Sequence, residues 1–251
     1  LKCAHLKPSQ LGAIVATTGT HDTVFPGPAA AIAHKLGADK GPAFDLPMAS
    51  AGGVFAIGLA DTLACRYGNV LVVATEKMSP VSLRKPYERG VAGLFGDGAG
   101  ACIITPSASG ISARILNTTL RSDGSHAHQL TLSLEGRLKM NGRSVIANAT
   151  QRISEAVRQV LVESETNSED VKAFIMHQAN LHVLHRVARA LHIEEDRFFC
   201  NIDKYGNTSS ASVLIALHEW LALAPPMRGD KFVIAGFGAG YHWGAALLEV
   251  E

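Results

Sequence analysis

Three stretches of this chain carry groups suited to nucleophilic attack on a carbonyl. Ser50 stands in the small-residue run Ala49-Ser50-Ala51-Gly52-Gly53, directly after a strand-like run at residues 43–46. His177-Gln178-Ala179-Asn180 follows about 130 residues later, and Gly206-Asn207-Thr208-Ser209 comes next. Each has a plainer explanation on its own. A serine ahead of a helix is usually an N-cap, and a histidine closing an apolar strand is usually a satisfied structural residue. Together, a hydroxyl, an imidazole and a carboxamide at three loop tips read as one active site. A nucleophile at a helix N-terminus gains from the positive end of the dipole and from backbone N–H groups that hold an oxyanion.

Elements that alternate must bring these tips together. Apolar β-branched runs at residues 13–16, 70–75, 100–105, 173–176 and 231–235 alternate with helical spacing at 28–36, 52–67, 153–163, 181–191 and 209–223. That alternation predicts an α/β fold with a largely parallel sheet and helices on its faces. Residues 111–140 are polar and turn-rich, and are expected to be a hairpin-like excursion at a seam. The run Ala13-Ile14-Val15-Ala16-Thr17 aligns with Ala173-Phe174-Ile175-Met176-His177, the turn before 52–67 with the turn at 201–203, and residues 70–75 with 232–236, each at an offset near 160 residues. Equal offsets indicate a duplication, so the expected layout is two pseudo-symmetric βα halves, residues 1–108 and 109–251. Their matching loops would meet on a pseudo-twofold axis, at the active site.

Composition excludes several classes. With Lys and Arg at 23, Asp and Glu at 22, and no basic run longer than two residues, the electrostatic footprint of a nucleic-acid binder is missing. Apolar runs such as Val70-Leu71-Val72-Val73-Ala74 are far short of the ~20 residues of a membrane span. No signal-peptide pattern opens the chain, and the expectation is a cytoplasmic protein. Cys3, Cys65, Cys102 and Cys200 form no Cys-x-x-Cys pair, which argues against a disulfide framework and a zinc site and for buried free thiols; no metal is expected. Gly96-Asp97-Gly98-Ala99-Gly100-Ala101 loosely matches a dinucleotide fingerprint, but it leads into a strand and is rejected on that context. Gly236-Phe237-Gly238-Ala239-Gly240 either presents backbone N–H groups to an oxyanion or serves close packing.

The motifs Leu94-Phe95-Gly96-Asp97-Gly98-Ala99-Gly100-Ala101, Ser122-Asp123-Gly124-Ser125, His177-Gln178-Ala179-Asn180, Gly206-Asn207-Thr208-Ser209 and Phe237-Gly238-Ala239-Gly240-Tyr241-His242-Trp243-Gly244 occur in one order and spacing. On these the chain resembles the β-ketoacyl-acyl carrier protein synthase III branch of the thiolase-fold condensing enzymes, over essentially its whole length. The resemblance implies a thiolase-like fold and an acyltransferase that takes an acyl group from acyl-coenzyme A and condenses it with malonyl-acyl carrier protein or passes it to another acceptor. Coenzyme A thioester is then a substrate, and no cofactor is implied. His177 and Asn207 would bind the thioester oxygen and the enolate formed on decarboxylation, and the N–H groups of Ser50 and Ala239 would form the oxyanion hole. Arg89 and Gly90 fall where relatives contact the coenzyme A nucleotide, and Arg143 and Asn180 where they line the pantetheine tunnel. Phe25 matches a residue given across a homodimer interface, and Phe95, Met140 and Ile146 would shape the acyl pocket. His182, Arg186 and Arg189 would meet the acidic carrier protein. The family's N-terminal strand and first helices have no counterpart before Leu1, so the chain is expected to be a fragment.

Two departures bear on mechanism. The family's nucleophile is a cysteine in Ala-Ala-Cys-Ser-Gly-Phe, whereas this chain reads Met48-Ala49-Ser50-Ala51-Gly52-Gly53. Altered flanks favour a natural serine over an engineered exchange. His182 also stands where many relatives carry an arginine. A hydroxyl is a weaker nucleophile than a thiol and needs a positioned base, so His177 is expected in a Ser-His-Asn arrangement with Ser50 and Asn207. The rival expectation is a degenerate partner subunit of an active condensing enzyme. A serine hydrolase is disfavoured, because no Gly-x-Ser-x-Gly elbow surrounds Ser50.

Overall fold

Runs of Val, Ile, Leu and Ala bounded by Gly, Asn and Pro become strands, and those apolar throughout occupy the sheet centres. The computed structural model describes residues 1–38, 40–86, 89–107 and 112–251, the side chain of Arg89 excepted. In the first half the order is β1 (Leu11–Thr17), α1 (Pro28–Leu36), β2 (Ala43–Leu46), α2 (Gly52–Tyr67), β3 (Asn69–Glu76), α3 (Ser79–Ser82), α4 (Arg89–Ala92) and β4 (Gly98–Ile104). The second half has β5 (Ala113–Ser122), β6 (Leu130–Leu132), β7 (Leu138–Met140), α5 (Gly142–Glu163), β8 (Val171–Met176) and α6 (Leu181–Leu191). It ends with α7 (Ile202–Tyr205), α8 (Ser212–Leu223), β9 (Lys231–Gly238) and β10 (His242–Val250).

The first sheet runs β2-β1-β3-β4, with β1 parallel to both neighbours and β4 antiparallel to β3. The second runs β5-β10-β9-β8, with β8 and β9 parallel and the other pairs antiparallel. Both α2 and α8 lie between the sheets. Helix α2 is apolar or small on most of its circumference, as a helix covered on both sides must be. Its Val54, Ala56, Ile57 and Ala60 share one core with Val15 and Val72 of the first sheet and Ile175 and Ile234 of the second. Helix α1 packs on the outer face of the first sheet and α5 and α6 on that of the second. The result is five layers, helix and sheet in alternation.

Topology carries the duplication read in the sequence. Strands β8, β9 and β10 with α8 repeat β1, β3 and β4 with α2, and a parallel bridge between Phe174 and Phe198 stands where β2 pairs with β1. Strand β5 has no counterpart beside β4 among the described residues. The sheets change between β4 and β5, and the 108/109 boundary between halves lies outside the described residues.

Several expectations need correction. The 111–140 excursion, whose residue 111 is outside the described residues, holds the hairpin β6-β7 but begins with β5, a full strand of the second sheet paired along β10. Its polar Asn117, Thr118 and Arg121 hid it, because β5 is an edge strand that needs apolar residues on one face only. Helix α5 starts at Gly142 and not near residue 153, its start set by Asn141, whose Oδ1 accepts the Ser144 N–H at 3.3 Å. The cysteines are free, but Cys3, Cys65 and Cys200 are exposed. Cys102 alone is largely enclosed, and burial pushes its thiol up to about 12.

One buried carboxylate fastens the halves to each other. Glu76, at the end of β3, is 4% exposed. Its oxygens accept from Thr20 Oγ1 at 2.6 Å, Gly19 N at 3.1 Å and Thr18 Oγ1 at 3.3 Å in the first half. They also accept from Ser210 Oγ at 2.7 Å and Ser210 N at 3.3 Å in the second. Glu76→Ala leaves these buried donors without their acceptor and is expected to lower the unfolding free energy by about 2 kcal/mol or more, read from the urea midpoint. A loss below about 0.5 kcal/mol would show that the loops hold without it.

Candidate active site

Ser50 lies in the turn between β2 and α2, half-buried. It does not cap the helix: Ala51 is the N-cap residue, and no side chain caps it. The Ser50 Oγ instead lies 3.4 Å from Ser209 Oγ, in the turn before α8. Among the described residues it makes no hydrogen bond to the His177 ring, so the direct nucleophile–base contact expected from the sequence is not in place.

His177 follows β8, its backbone tied to β9 by an N–H to the Ala235 carbonyl at 2.7 Å. Its ring is 3% exposed, and Nδ1 lies 2.5 Å from Ser212 Oγ, the first residue of α8. The Ser212 oxygen accepts the Gln178 N–H at 3.2 Å and the ring also bonds to the Ser209 backbone, so an arrangement with Ser212 donating to Nδ1 and the ring proton on Nε2 satisfies these contacts together. Burial pushes its pKa down to about 4, opposed by a hydrogen bond with the Ser209 backbone that favours the charged ring. Gln178 is structural: its Nε2 donates to Met176 O at 2.8 Å and Phe199 O at 3.2 Å, and its Oε1 accepts Asn201 N at 3.2 Å.

Asn207 is placed by a strand-like docking of two loops. Its N–H donates to Leu94 O at 2.9 Å and its carbonyl accepts Gly96 N at 3.0 Å. The approach requires glycine at 96, where a Cβ would stand 2.0 Å from Tyr205 O. Asn207 Oδ1 accepts the Ser209 N–H at 2.9 Å, which fixes the amide orientation and turns the Nδ2 donors to the cavity that the residue lines. A similar approach joins β9 to the Ser50 turn. A Cβ on Gly238 would lie 2.8 Å from Ala51 N and 3.0 Å from Ser50 N, so Ala239 follows directly beside the Ser50 turn. Among the described residues neither the Ser50 nor the Ala239 N–H donates to a protein acceptor.

These groups share a cavity of about 960 Å³, part of it open to solvent. Ser50, His177, Asn207, Ser209 and Ala239 occupy one end. Hairpin β6-β7 and helix α5 give apolar walls, among them Leu130, Leu138, Met140, Val145 and Ile146. Of the lining residues only Glu76 carries a formal charge. Phe95 and Asn180 also line the cavity, Asn180 using Oδ1 to cap α6 at Val183 N, 3.0 Å away. Gly90, Arg143 and Phe25 are exposed and do not line it, and the side chain of Arg89 lies outside the described residues. His182, Arg186 and Arg189 lie exposed on the outer face of α6, with Arg189 Nε 3.3 Å from Glu195. Sequence reasoning missed Ser209, Ser210, Ser212 and Glu76. The hydroxyls fell in the first turn of the helix expected at 209–223, and Glu76 lay just past the strand expected at 70–75.

Two family models match: 3-oxoacyl-[acyl-carrier-protein (ACP)] synthase III over residues 44–124, and its C-terminal part over 161–250. The β-ketoacyl-[acyl-carrier-protein] synthase III of Aquifex aeolicus is 36% identical, covering 99% of this chain and 80% of the relative. That of Clostridium perfringens strain 13 is 33% identical over 100% and 81%. Among solved structures, the Aquifex aeolicus enzyme superposes with a TM-score of 0.93 at 36% identity, covering 99% of this chain and 80% of that one. The priming β-ketosynthase of the R1128 polyketide pathway gives 0.88 at 32% identity, covering 99% and 78%.

Two outcomes follow from this geometry. Gly238→Ala drives a methyl into the Ser50–Ala51 backbone and should disrupt the site, read as loss of covalent labelling at Ser50 with an intact far-ultraviolet circular dichroism spectrum. His177 is neutral when folded, with its pKa below the unfolded value near 6.5. Its contribution is therefore complete above that value and is lost as pH falls toward 4. Between pH 7 and 4 the wild type should lose about 3 kcal/mol more than His177→Asn in urea unfolding; parallel curves would contradict this.

Proposed function

The chain belongs to the 3-oxoacyl-[acyl-carrier-protein] synthase III family, and from that membership we propose that Ser50 carries the acyl group that relatives of this kind hold on a cysteine. The chain is an acyltransferase of the condensing class, and the reading concerns how a serine serves it. The observation that carries it is a Ser50 hydroxyl freed from capping, facing an apolar cavity beside a buried neutral imidazole and an oriented carboxamide.

In the first step the Ser50 oxygen attacks the carbonyl of an acyl-coenzyme A. The oxygen–carbon bond forms, the carbon–sulfur bond breaks, and coenzyme A leaves as the thiol, taking up the serine proton. The N–H groups of Ser50 and Ala239 supply the oxyanion hole, where two preorganised donors of this kind are worth several kcal/mol (about 2.7–4 each). In the second step His177 Nε2–H and Asn207 Nδ2–H donate to the thioester oxygen of malonyl-acyl carrier protein as carbon dioxide leaves. A neutral donor suits an enolate, and burial keeps the ring in that form. The carbanion attacks the acyl carbonyl, the ester carbon–oxygen bond to Ser50 breaks, and the Ser50 alkoxide takes a proton from water. An oxygen ester is a poorer electrophile than a thioester, so transfer to another acceptor competes with condensation.

The same reading extends to partners. Strand β2 is a sheet edge among the described residues, and near it Phe25 is 85% exposed, Val24 76% and Phe44 38%. An apolar edge of this kind supports a homodimer. The exposed cations of α6 support docking of an acidic carrier protein, through Arg186 and His182 more than through Arg189, which is already paired. Free cysteines support a reducing, cytoplasmic compartment.

Incubation with a short acyl-coenzyme A and intact-mass measurement should give one acyl adduct on wild type and none on Ser50→Ala. Malonyl decarboxylation should survive in Ser50→Ala and fall at least about 10²-fold in His177→Ala and Asn207→Ala. Equal labelling of wild type and Ser50→Ala removes the serine assignment. Absence of both acylation and decarboxylation establishes the degenerate-partner alternative.

A further inference from the structure

The nucleophilic serine has another serine as its neighbour. Ser209 Oγ lies 3.4 Å from Ser50 Oγ, and Ser209 is 3% exposed and lines the cavity. Among the described residues this is the only hydrogen bond that either hydroxyl makes. A distance of 3.4 Å is long for an O–H···O bond, as contacts of reacting groups often are before substrate tightens them.

Ser209 also holds an uncommon backbone conformation. Its φ is +48°, in the left-handed region, where a residue with a Cβ is strained by about 1–2 kcal/mol. The strain is held from both sides. The Ser209 N–H is taken by Asn207 Oδ1, and the next residue, Ser210, is fixed to Glu76 by its N–H and its hydroxyl. Glycine would sit there without strain. A serine in its place keeps a hydroxyl aimed at Ser50, and that hydroxyl is what the strain accompanies.

The proton of Ser50 needs an acceptor as the acyl bond forms, and among the described residues the Ser50 hydroxyl bonds to Ser209 and not to the His177 ring. Resting on the acylation of Ser50, we propose that Ser209 is a catalytic residue, which receives the Ser50 proton and passes its own to the departing sulfur. The balance is closed. The Ser50 oxygen–carbon bond forms and the carbon–sulfur bond breaks. One proton moves from Ser50 to Ser209 and another from Ser209 to sulfur, so both enzyme oxygens end with their octets complete and coenzyme A leaves as the thiol.

A thiol nucleophile does not need this relay, because a cysteine at a helix N-terminus ionises before it attacks. The test uses that difference. Ser209→Ala and Ser209→Gly are each made in the wild-type and in the Ser50→Cys background, and acylation by a short acyl-coenzyme A is timed by intact mass. In the serine background kcat of acylation should fall about 10²-fold at unchanged KM, and much further than malonyl decarboxylation falls. In the Ser50→Cys background the same exchanges should slow acylation by no more than about threefold. Ser209→Gly also relieves the left-handed strain, so a folding defect cannot account for a loss seen in both variants. Equal penalties in the two backgrounds, or none in either, overturn the relay while leaving Ser50 as the acyl carrier. A wild type that takes no acyl group overturns both.

Discussion

Gly238, the last residue of β9, lies so close to the turn before α2 that a Cβ on it would stand 2.8 Å from the Ala51 nitrogen. That contact joins β9 of one half to the Ser50 turn of the other, and the proposed chemistry depends on it. It brings the N–H that follows Gly238 beside the N–H of Ser50. It is possible only because α2, packed between both sheets with small residues at Gly52, Gly53 and Ala56, lets the two halves approach. Gly53 makes the same demand on the other side, where a Cβ would meet the Ser210 carbonyl at 2.6 Å. The proposed oxyanion donors are therefore a product of layer spacing as much as of loop sequence.

The second constraint is electrical. The cavity holds no cation among its lining residues, and its single carboxylate, Glu76, has its oxygens taken by Thr18, Gly19, Thr20 and Ser210. With that charge satisfied and walls that are largely hydrocarbon, His177 is desolvated and stays neutral. On the proposed reading the site would stabilise negative charge through oriented neutral dipoles, which strengthen in a water-poor enclosure.

Periodicity was enough to read the interior of the fold. Residues 13–16, 70–74 and 173–176 lie in strands of mixed sheets that helices cover on both faces, so they are apolar without interruption and stand out. Strand β5 did not, since it carries Asn117, Thr118 and Arg121 on the edge of its sheet. The first turns of α5 did not either, because Gly142, Asn148 and Gln151 interrupt the apolar spacing while a side-chain cap sets the start. In the site, Ser50, His177 and Asn207 were legible as loop tips, and the repeat of strands and turns at an offset of about 160 residues predicted that they meet. Which atoms bond to which was not legible. Whether Ser50 faces His177 or Ser209 depends on the left-handed turn at Ser209 and the Asn207 amide beneath it, and neither leaves a pattern in spacing.

The serine separates two functions that a cysteine combines. On the proposed reading decarboxylation uses donors to an oxygen, and those of His177 and Asn207 are oriented by Ser212 and Ser209 without reference to Ser50. Acylation requires a deprotonated nucleophile. A thiol with a reference pKa near 8.5 is ionised by half a positive charge at a helix end, whereas the field that lowers a thiol by a few units leaves an alcohol protonated. The proton must then leave during attack, through an atom already in contact. In the proposed relay that atom is the oxygen of Ser209, and a residue inconspicuous beside a cysteine becomes necessary beside a serine.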